Sequence, residues 1–249
     1  MRYSIIVPYF RTPEITRVCL YSIFKYSRGE PEVLVVDNDP GGPESSMLKE
    51  FPAARIIDNP TALRGSPANF EALDVGLARA THDLVCMVHS DTIFLKEGWD
   101  LACFGRLEAG GLAALGTFER EANPFRPLRQ RVRDWPRHFL HRRRAAYAAP
   151  EKLMLHFLFT RRSTLERISY RFARDGHILP RHFAPTGQPI EVLSLIEVSR
   201  LIWHTSNITS LVTGQMDDPK LARIYRDKRQ RFLAQRRIQE AFGPVLPKA

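Results

Sequence analysis

Short apolar-rich runs constrain the fold of this chain more than any other feature of its sequence. In the first half they fall at residues 3–7, 33–36 and 84–88, and polar residues bound the last run on both sides. A strand that is apolar at successive positions is covered on both faces, as strands are in the sheets of α/β proteins. The sequence therefore predicts the α/β fold class.

Helix signals separate these runs in a regular alternation. Residues 12–14 provide a cap, a first-turn proline and an early acid for a helix through about residue 26, and residues 66–67 repeat the signal for a helix to about residue 80. Shorter signals predict a helix at 43–51 and a strand at 55–58. This order is typical of βαβ units and a mostly parallel sheet.

The alternation is less regular in the second half. Between about residues 120 and 150, prolines and arginines break the pattern, which predicts an extended loop with short helices. From residue 217, a capped and basic pattern predicts a long helix to about residue 242. The other predicted elements are a helix after Glu97, strands at 112–118 and 153–160, a short helix from Ser163, an irregular stretch at 175–189 and a helix at 190–200. The segments 201–204 and 208–212 are predicted to form a short strand pair or one bent strand.

Charge and cysteine content limit the partners and the location of the chain. Its 249 residues carry a formal net charge of +10, which favours an anionic partner such as nucleic acid, an acidic membrane surface or a phosphorylated ligand. The 3 cysteines lie in apolar segments without disulfide or metal spacing, which indicates buried thiols in a reducing compartment. The sequence shows neither a secretory signal nor a membrane-spanning run, so a cytoplasmic location is expected.

Polar side chains follow three of the predicted strands at their carboxyl ends. Tyr9 follows the first strand, Asp37 the second, and Asp91 the strand at 84–88. Because these ends meet at one edge of a parallel sheet, the three side chains are expected to line one cleft. Carboxylates there accept hydrogen bonds from a base or ribose and coordinate hard divalent cations, as a nucleotide diphosphate requires. A turn-forming role explains Asp37 and Asp91 equally well from the residues alone.

Four segments, taken in order, resemble motifs of the GT-A glycosyltransferases of family 2. Residues 4–9, 33–38, 64–69 and 87–92 look like the opening strand, the second strand with its nucleotide-facing acid, the loop before the metal motif, and the Asp-x-Asp region. Each motif alone is degenerate, whereas four in order are more specific. The resemblance implies an α/β fold of GT-A type, with a Rossmann-like, mostly parallel sheet flanked by helices and a basic C-terminal helix. It also implies a nucleotide-sugar site formed by Pro8, Tyr9, Asp37, Arg64, Asn69, Ser90 and Asp91.

The resemblance also implies a domain organisation. One glycosyltransferase-like domain is expected over residues 1–215, followed by the basic helix at 216–249. Within the domain, a nucleotide-binding half reaches from 1 to about 119, the basic loop covers about 120–150, and an acceptor half covers 151–215. The motifs lie in the nucleotide-binding half, so the acceptor half is specified less closely.

The resemblance places a divalent cation, Mg²⁺ or Mn²⁺, at Asp91. His89 stands where the family often has the first acid of Asp-x-Asp, which leaves Asp91 as the carboxylate of the motif. His89 is either a ligand or, with more weight, a hydrogen-bonded structural residue at the end of a buried strand. His204 resembles a late histidine that reaches the diphosphate or the metal in some members, and a packed histidine is the alternative. The predicted metal ligands are therefore Asp91 and His204.

The implied reaction is transfer of a hexosyl or deoxyhexosyl group from a nucleotide diphosphate to an acceptor hydroxyl, with inversion at the anomeric carbon. A cation at Asp91 would stabilise the leaving diphosphate as a Lewis acid. In the family, the base is a carboxylate near the start of a helix in the second half of the domain. Glu191 matches this place at the start of the predicted helix 190–200, and Glu197 is its rival. A first-turn acid favoured by the helix dipole is the alternative for Glu191.

Two basic segments indicate where an acceptor or a surface would bind. The segment at 126–144 interleaves arginines with aromatic residues, a composition suited to an anionic membrane or a phosphorylated, lipid-linked acceptor. The C-terminal helix either packs on the domain or lies on a membrane. A glycan or lipid-linked acceptor is therefore expected, with peripheral association at the inner face of the membrane.

A non-catalytic binding protein of the same fold is the competing prediction. Its basic surface would hold a membrane or nucleic acid, but no nucleic-acid-binding signature accompanies the charge, so nucleic acid is the less favoured partner. Nucleotidylyltransferases, P-loop kinases and dinucleotide-dependent dehydrogenases need glycine-rich phosphate loops. Residues 9–13, which follow the first strand, contain no glycine, and this excludes those three classes.

Overall fold

The computed structural model describes residues 1–118, 143–144, 147, 152–204, 239–240 and 242–243. In the first half, strands and helices alternate as predicted. The elements are β1 (Arg2–Tyr9), α1 (Pro13–Tyr26), β2 (Glu30–Asp37), a 3-10 helix (Pro43–Glu50), β3 (Ala54–Asp58), α2 (Ser66–Arg79), β4 (Leu84–Met87), β5 (Thr92–Phe94), α3 (Trp99–Ala109) and β6 (Ala114–Gly116).

The elements of the second half are shorter. They are β7 (Arg143–Arg144), β8 (Leu158–Arg161), α4 (Arg162–Arg167), α5 (Phe172–Asp175), a second 3-10 helix (Pro180–Thr186), β9 (Ile190–Val192), α6 (Leu195–Leu201) and β10 (Ile202–His204).

A mixed, mostly parallel sheet forms the centre of the molecule. Within the described residues its strand order is β3-β2-β1-β4-β8-β6-β9-β7, and β5 and β10 form a separate pair. The pairs β1 with β2, β1 with β4, β2 with β3 and β6 with β9 are parallel. Strand β8 runs antiparallel to β4 and β6, and β7 runs antiparallel to β9. The predicted α/β class with helices flanking a mostly parallel sheet is confirmed.

The order of strands reverses beside β1. From β1 the chain steps outward to β2 and β3, and it then returns through α2 to β4 on the other side of β1. In the register, Ile6 of β1 lies between Leu34 of β2 and Met87 of β4. Such a reversal leaves a crevice at the carboxyl ends of the strands, where open α/β sheets bind ligands. The crevice is therefore bounded by the ends of β1, β2 and β4.

Each face of the sheet is covered by its own layer of side chains, as the apolar runs predicted. On one face Ile5 and Val35 pack with residues of α1 and α3. On the other face Ile6 and Leu34 pack with residues of α2. Gly76 permits this second contact, because a Cβ at that position would collide with the Ile6 side chain. Burial on both faces specifies the strand register and so fixes where the strand ends lie.

The predicted helix at 190–200 is wrong in its first turn. Ile190–Val192 is the strand β9, paired in parallel with β6, and the helix α6 begins at Leu195. Glu191 therefore lies within a strand and not at the start of a helix.

Two local features explain where α6 begins. Ser194 and Glu197 form a capping box, in which the Glu197 carboxylate accepts a hydrogen bond from the Ser194 backbone N–H at 3.0 Å. The branched residues Ile190 and Val192 are buried against the sheet, where branched side chains favour a strand.

Other predicted elements differ in extent. The chain continues from the run at 84–88 through a turn into β5, which the sequence did not predict and which pairs antiparallel with β10. The strands predicted at 112–118 and 153–160 are shorter and correspond to β6 and β8. The stretch at 175–189, predicted to be irregular, contains the second 3-10 helix.

Several predicted features lie outside the described residues: the strand at 208–212, most of the loop at 120–150, the boundary after residue 215 and most of the C-terminal helix. Phe242 is described and buried, and its ring meets Tyr21 and Tyr26 of α1 edge to face. This part of the C-terminal segment therefore packs on the domain. Among the described helices, none has the length and apolar character needed to cross a bilayer.

Candidate functional site

The ends of β1 and β2 supply buried polar side chains to the crevice. Tyr9 and Asp37 are partners in the register and are only 1% and 2% exposed. The Tyr9 hydroxyl donates to the backbone carbonyl of Glu44 at 2.9 Å, and the Asp37 carboxylate accepts from the backbone N–H of Asp39 at 2.9 Å. Burial raises the pKa of Asp37 above its ordinary value. Pro8, which is also buried, precedes Tyr9, so three predicted site residues lie together.

Charged side chains surround Phe10 beside these strand ends. The guanidinium carbons of Arg11 and Arg64 lie 5.0 and 5.4 Å from the centroid of the Phe10 ring. A hydrogen bond from Arg11 at 2.6 Å lowers the pKa of Asp39. Arg64 donates to backbone carbonyls of its own loop and is exposed. Arg64, which was predicted to belong to the nucleotide-sugar site, is therefore an exposed cation next to the end of β1.

Asn69 connects the start of α2 to the end of β4. Gly65 has a φ of +63°, a conformation that glycine adopts without strain, and the chain enters α2 there. The side-chain nitrogen of Asn69 in the first turn lies 3.5 Å from Nε2 of His89 and donates to it in the tautomer whose Nε2 carries no proton. The structure thus brings together the segments 64–69 and 87–92.

The turn after β4 holds Ser90 and Asp91 in the interior, where they are 1% and 2% exposed. The Thr92 N–H donates to the carbonyl of His89 at 3.0 Å and closes the turn. Because β10 pairs with β5, His204 lies opposite Thr92. As a result, Nε2 of His204 is 3.1 Å from Oδ1 of Asp91. The two residues predicted as metal ligands are adjacent, although their role in binding a metal remains a prediction.

Two further histidines lie beside this pair. His89, His156 and His204 place one ring nitrogen each within 4.8 Å of the others. The rings of His156 and His204 are stacked with their centroids 3.9 Å apart. The backbone carbonyl of His156 accepts from the Thr92 hydroxyl at 3.3 Å. His156 was not predicted from the sequence, although a single polar residue within the apolar run 153–159 is a signal for it.

The donors of this cluster fit a divalent cation. His156 is fully buried, and neither of its ring nitrogens has a hydrogen-bond partner among the described residues, whereas buried polar groups are normally satisfied. Burial lowers the pKa of His89 to about 4 and that of His156 well below its ordinary value. Both imidazoles are therefore neutral at neutral pH and keep a lone pair for a metal. The 3.1 Å between Asp91 and His204 also suits adjacent ligands of one ion, whose bonds are about 2.0–2.2 Å long.

The predicted base, Glu191, lies on the face of the sheet that carries α3. Its neighbours in β9 belong to the core of the opposite face, and its carboxylate forms an ion pair with Arg106 of α3. Arg106 also contacts the carboxylate of Glu197 at 3.3 Å. The side chains of Glu191 and Glu197 are 23% and 20% exposed. The two candidate bases therefore share one guanidinium and are both partly accessible to solvent.

A family model described as Glycosyl transferase family 2 matches residues 4–168, a range that includes β1 to α4 and the turn with Asp91. The chain belongs to glycosyl transferase family 2. The predicted resemblance is thereby confirmed. The chain spans somewhat more than half of the first solved structure that it resembles, 58% of its length. A comparison with curated protein sequences finds no match.

Solved glycosyltransferase structures share the fold of this family 2 chain. Residues 1–349 of S. aureus TarS in complex with UDP-GlcNAc align with a TM-score of 0.60 and 16% identity, over 82% of this chain and 58% of that chain. The complex of the same protein with UDP aligns with a TM-score of 0.58 and 16% identity, over 95% and 73%. The mannosyltransferase PcManGT from Pyrobaculum calidifontis, in complex with GDP-Man and Mn²⁺, aligns with a TM-score of 0.60 and 13% identity, over 90% and 68%. At these identities the likeness confirms the predicted GT-A fold.

Proposed function

We propose that this protein transfers a sugar from a nucleotide diphosphate to an acceptor hydroxyl, with inversion at the anomeric carbon. The observation that carries the proposal is the contact of Asp91 with His204 at 3.1 Å, in the turn that follows β4 at the same edge of the sheet as Tyr9 and Asp37. Membership in the family supports glycosyl transfer. The similar structures hold UDP-GlcNAc and GDP-Man, which supports a hexosyl donor.

The ends of β1 and β2 are the proposed site for the nucleoside. The Asp37 carboxylate lies at the strand end and accepts hydrogen bonds, which suits it to the base or the ribose hydroxyls. Arg64 offers a planar fork of donors beside the crevice and is proposed to contact the diphosphate. Pro8, Tyr9, Asn69 and Ser90 complete the proposed donor site.

Asp91 and His204 are the residues proposed to hold the divalent cation, for which Mg²⁺ and Mn²⁺ were predicted. The turn that contains Asp91 is closed by a backbone hydrogen bond, so the carboxylate is positioned before the donor binds. When bound, the cation would offset the negative charge that develops on the leaving diphosphate. The complex of PcManGT with Mn²⁺ and GDP-Man supports this assignment.

Glu191 is proposed as the base that accepts the proton of the acceptor hydroxyl. As the bond from the acceptor oxygen to the anomeric carbon forms, the bond from that carbon to the diphosphate oxygen breaks, and attack from the opposite side inverts the centre. Glu191 must lie within about 2.6–3.2 Å of the hydroxyl to take its proton. Because its carboxylate is paired with Arg106, the acceptor would have to replace part of that contact.

The acceptor is proposed to be a glycan or a lipid-linked molecule. The support is the composition of segment 126–144, in which Trp135 and Phe139 are interleaved with arginines. Such a segment binds phosphorylated lipids and anionic surfaces well, and the proposed location is therefore the cytoplasm with peripheral contact to the membrane.

The proposal is tested with the full-length protein and a panel of nucleotide sugars in the presence of Mn²⁺ or Mg²⁺. Nucleotide binding is measured by calorimetry, and slow hydrolysis of the donor is measured without an acceptor. We expect at least one nucleotide diphosphate to bind more tightly with metal than without it. Absence of nucleotide binding under both conditions would sink the proposal, and salt-sensitive binding of RNA in its place would support the non-catalytic alternative.

The role of Asp91 is tested with Asp91→Asn. This change keeps the size of the side chain but removes its charge, so the metal-dependent gain in nucleotide affinity should disappear. Glu97→Gln is the matched control, because it removes an exposed carboxylate that pairs with Arg28 at the surface. If Asp91→Asn and Glu97→Gln bind nucleotide and metal equally well, Asp91 is not the metal ligand.

A further inference from the structure

The three histidines beside Asp91 come from separate parts of the chain and meet at one point. His89 follows β4, His156 precedes β8, and His204 ends β10. One ring nitrogen of each lies within 4.8 Å of the others. Nitrogen ligands of a tetrahedral ion with bonds of about 2.0–2.1 Å are about 3.4 Å apart, so the side chains must rotate and bring these nitrogens closer together to bind one ion.

We propose that His89, His156 and His204 form a nitrogen-rich metal site that prefers a transition-metal ion such as Zn²⁺ or Co²⁺ over Mg²⁺, with Asp91 as the carboxylate of the same site. Imidazole nitrogen is a ligand of intermediate softness that suits zinc and the late first-row ions. Mg²⁺ requires oxygen ligands and retains its water. Replacement of an acid by His89 therefore changes which ion the turn after β4 selects.

Packing alone does not account for His156. Its neighbours Leu155 and Phe157 are apolar and buried, and both ring nitrogens of His156 lack a hydrogen-bond partner among the described residues. A buried polar group without a partner destabilises the folded protein. An apolar side chain would avoid that cost, whereas a metal ligand needs the nitrogen.

Contacts around the cluster hold two of the ligands in place. The Asn69 amide lies 3.5 Å from Nε2 of His89, and the carbonyl of His156 accepts from the Thr92 hydroxyl at 3.3 Å. The contact with Asn69 is of the kind that orients a metal-binding imidazole, and the contact with Thr92 fixes the backbone at His156. The inference rests on the proposed function for the role of the ion at the diphosphate, but it is tested on the protein without a donor.

The test is competitive calorimetry of Zn²⁺, Co²⁺ and Mg²⁺ on the full-length, metal-stripped protein. We expect Zn²⁺ to bind at least about 100-fold more tightly than Mg²⁺, because the site offers three imidazoles and one carboxylate. His156→Gln should weaken Zn²⁺ by about 10- to 100-fold or more, since loss of outer contacts alone has that effect. His82→Gln is the control, because His82 lies at the amino end of β4, away from the cluster.

A second variant tests the selectivity in the opposite direction. His89→Asp creates an Asp-x-Asp sequence, so it should weaken Zn²⁺, strengthen Mg²⁺ and narrow the gap between the two ions. The visible absorption of the Co²⁺-loaded wild-type protein should show bound imidazole nitrogen. If circular dichroism shows that His156→Gln does not fold, the spectrum of the wild-type protein still shows whether imidazole nitrogens bind the ion.

The inference is overturned if Mg²⁺ competes equally with Zn²⁺, if His156→Gln binds Zn²⁺ like His82→Gln, or if the Co²⁺ spectrum is that of an all-oxygen site. These outcomes are separate from failure of the proposed function. Selective binding of Zn²⁺ by a protein that binds no nucleotide would leave the metal site intact and reject the transferase. If the donor is hydrolysed with Mg²⁺ and His156→Gln does not change the rate, the transferase is supported and the histidine metal site is rejected.

Discussion

At the scale of single residues, Glu191 and Glu197 share the guanidinium of Arg106 but differ in their other contacts. Glu197 also caps α6, and a glutamine keeps that capping box. If Glu191 is the base, Glu191→Gln should lower the turnover of acceptor glycosylation by about 10²- to 10⁴-fold. Glu197→Gln should retain most of the activity. The measurement is steady-state transfer to an acceptor, together with the affinity for the nucleotide.

Nucleotide affinity is the internal control of this comparison, because neither carboxylate belongs to the proposed donor site. Both variants should bind nucleotide like the wild type. Loss of turnover in Glu197→Gln with full activity in Glu191→Gln would assign the role of the base to Glu197. If both variants are as active as the wild type, neither carboxylate is the base.

The residues of the candidate site differ in how far the sequence could predict them. Tyr9, Asp37 and Asp91 follow apolar strands, and the ends of parallel strands converge whatever the details of packing. His204 was found by resemblance, but its contact with Asp91 depends on the pairing of β5 with β10, which no local pattern shows. His156 was missed because it enters the site next to an antiparallel strand inserted between distant parts of the sheet.

At the scale of elements, the packing of α2 on the sheet depends on a close approach at Gly76. A Cβ at Gly76 would collide with Ile6 and crowd Val36, whereas Gly105 in α3 has no neighbour within 4 Å of such an atom. Gly76→Ala should destabilise the protein by about 1–3 kcal/mol through overpacking. Gly105→Ala should stabilise it by about 0.5–1 kcal/mol, because alanine loses less conformational entropy in a helix. Urea unfolding measures both changes, and the same sign for the two variants would contradict this account of the contact.

Glu32 gives the stability a pH dependence because it joins β2 to two other elements. Its carboxylate accepts hydrogen bonds from the Ser4 hydroxyl at 2.6 Å and from the backbone N–H and hydroxyl of Thr81 at 2.8 and 2.9 Å. Burial opposes ionisation, but these bonds outweigh it and hold the pKa of Glu32 below its ordinary value. The folded state therefore releases this proton more readily than the unfolded state, whose glutamate has a pKa of about 4.3.

The stabilisation that Glu32 contributes is complete above the pKa of the unfolded state, about 4.3. It is lost as the pH falls through the lower pKa that Glu32 has in the folded protein. Compared with Glu32→Gln, the wild type should lose more free energy of unfolding between about pH 5 and pH 3. Urea unfolding at a series of pH values measures the difference. Glu30→Gln on the same strand is the control, because its ion pair with Arg2 is exposed on both sides. Parallel pH profiles for the wild type and Glu32→Gln would contradict the linkage.

Elements with complete local signals were predicted, and those that depend on distant partners were not. The helices α1 and α2 each carry a proline in the first turn, and both begin within a residue of the prediction. The turn at Pro189 looked like another such start, yet the residues after it join β6 as the strand β9. A strand as short as β9 is stabilised by its neighbours in the sheet, so only the tertiary structure decides whether these residues form a helix or a strand.

At the scale of the whole molecule, the order of elements was enough to predict the α/β class and the edge of the sheet that carries the site, whereas the GT-A fold was predicted from the resemblance of four motifs. The ends of parallel strands meet at that edge, and in the structure the reversal beside β1 places the crevice there. The other half of the sheet combines β8, β6, β9 and β7 in an order that sequence does not reveal. Its antiparallel strand and its pairings between distant segments depend on long-range contacts. This explains why Glu191 was predicted at the start of a helix and lies in the strand β9.

The C-terminal segment contacts α1 through Phe242. Phe242 is fully buried, its ring meets Tyr21 and Tyr26, and the amine of Lys25 lies 5.6 Å from its centroid. A residue packed in this way is not available to a membrane, which favours packing on the domain over binding to a lipid surface. Phe242→Ala should therefore destabilise the whole protein by about 3–5 kcal/mol.

Urea unfolding with and without anionic vesicles tests this prediction, because packing on the domain does not depend on lipid. Leu101→Ala is the control, since Leu101 is 39% exposed on α3 and its loss should change stability by no more than about 0.5 kcal/mol. A cost of Phe242→Ala as small as that of the control would show that the contact is not stabilising. If Phe242→Ala instead abolished binding to vesicles without affecting the free energy of unfolding, Phe242 would belong to a membrane-binding surface, because only exposed apolar side chains can insert into lipid.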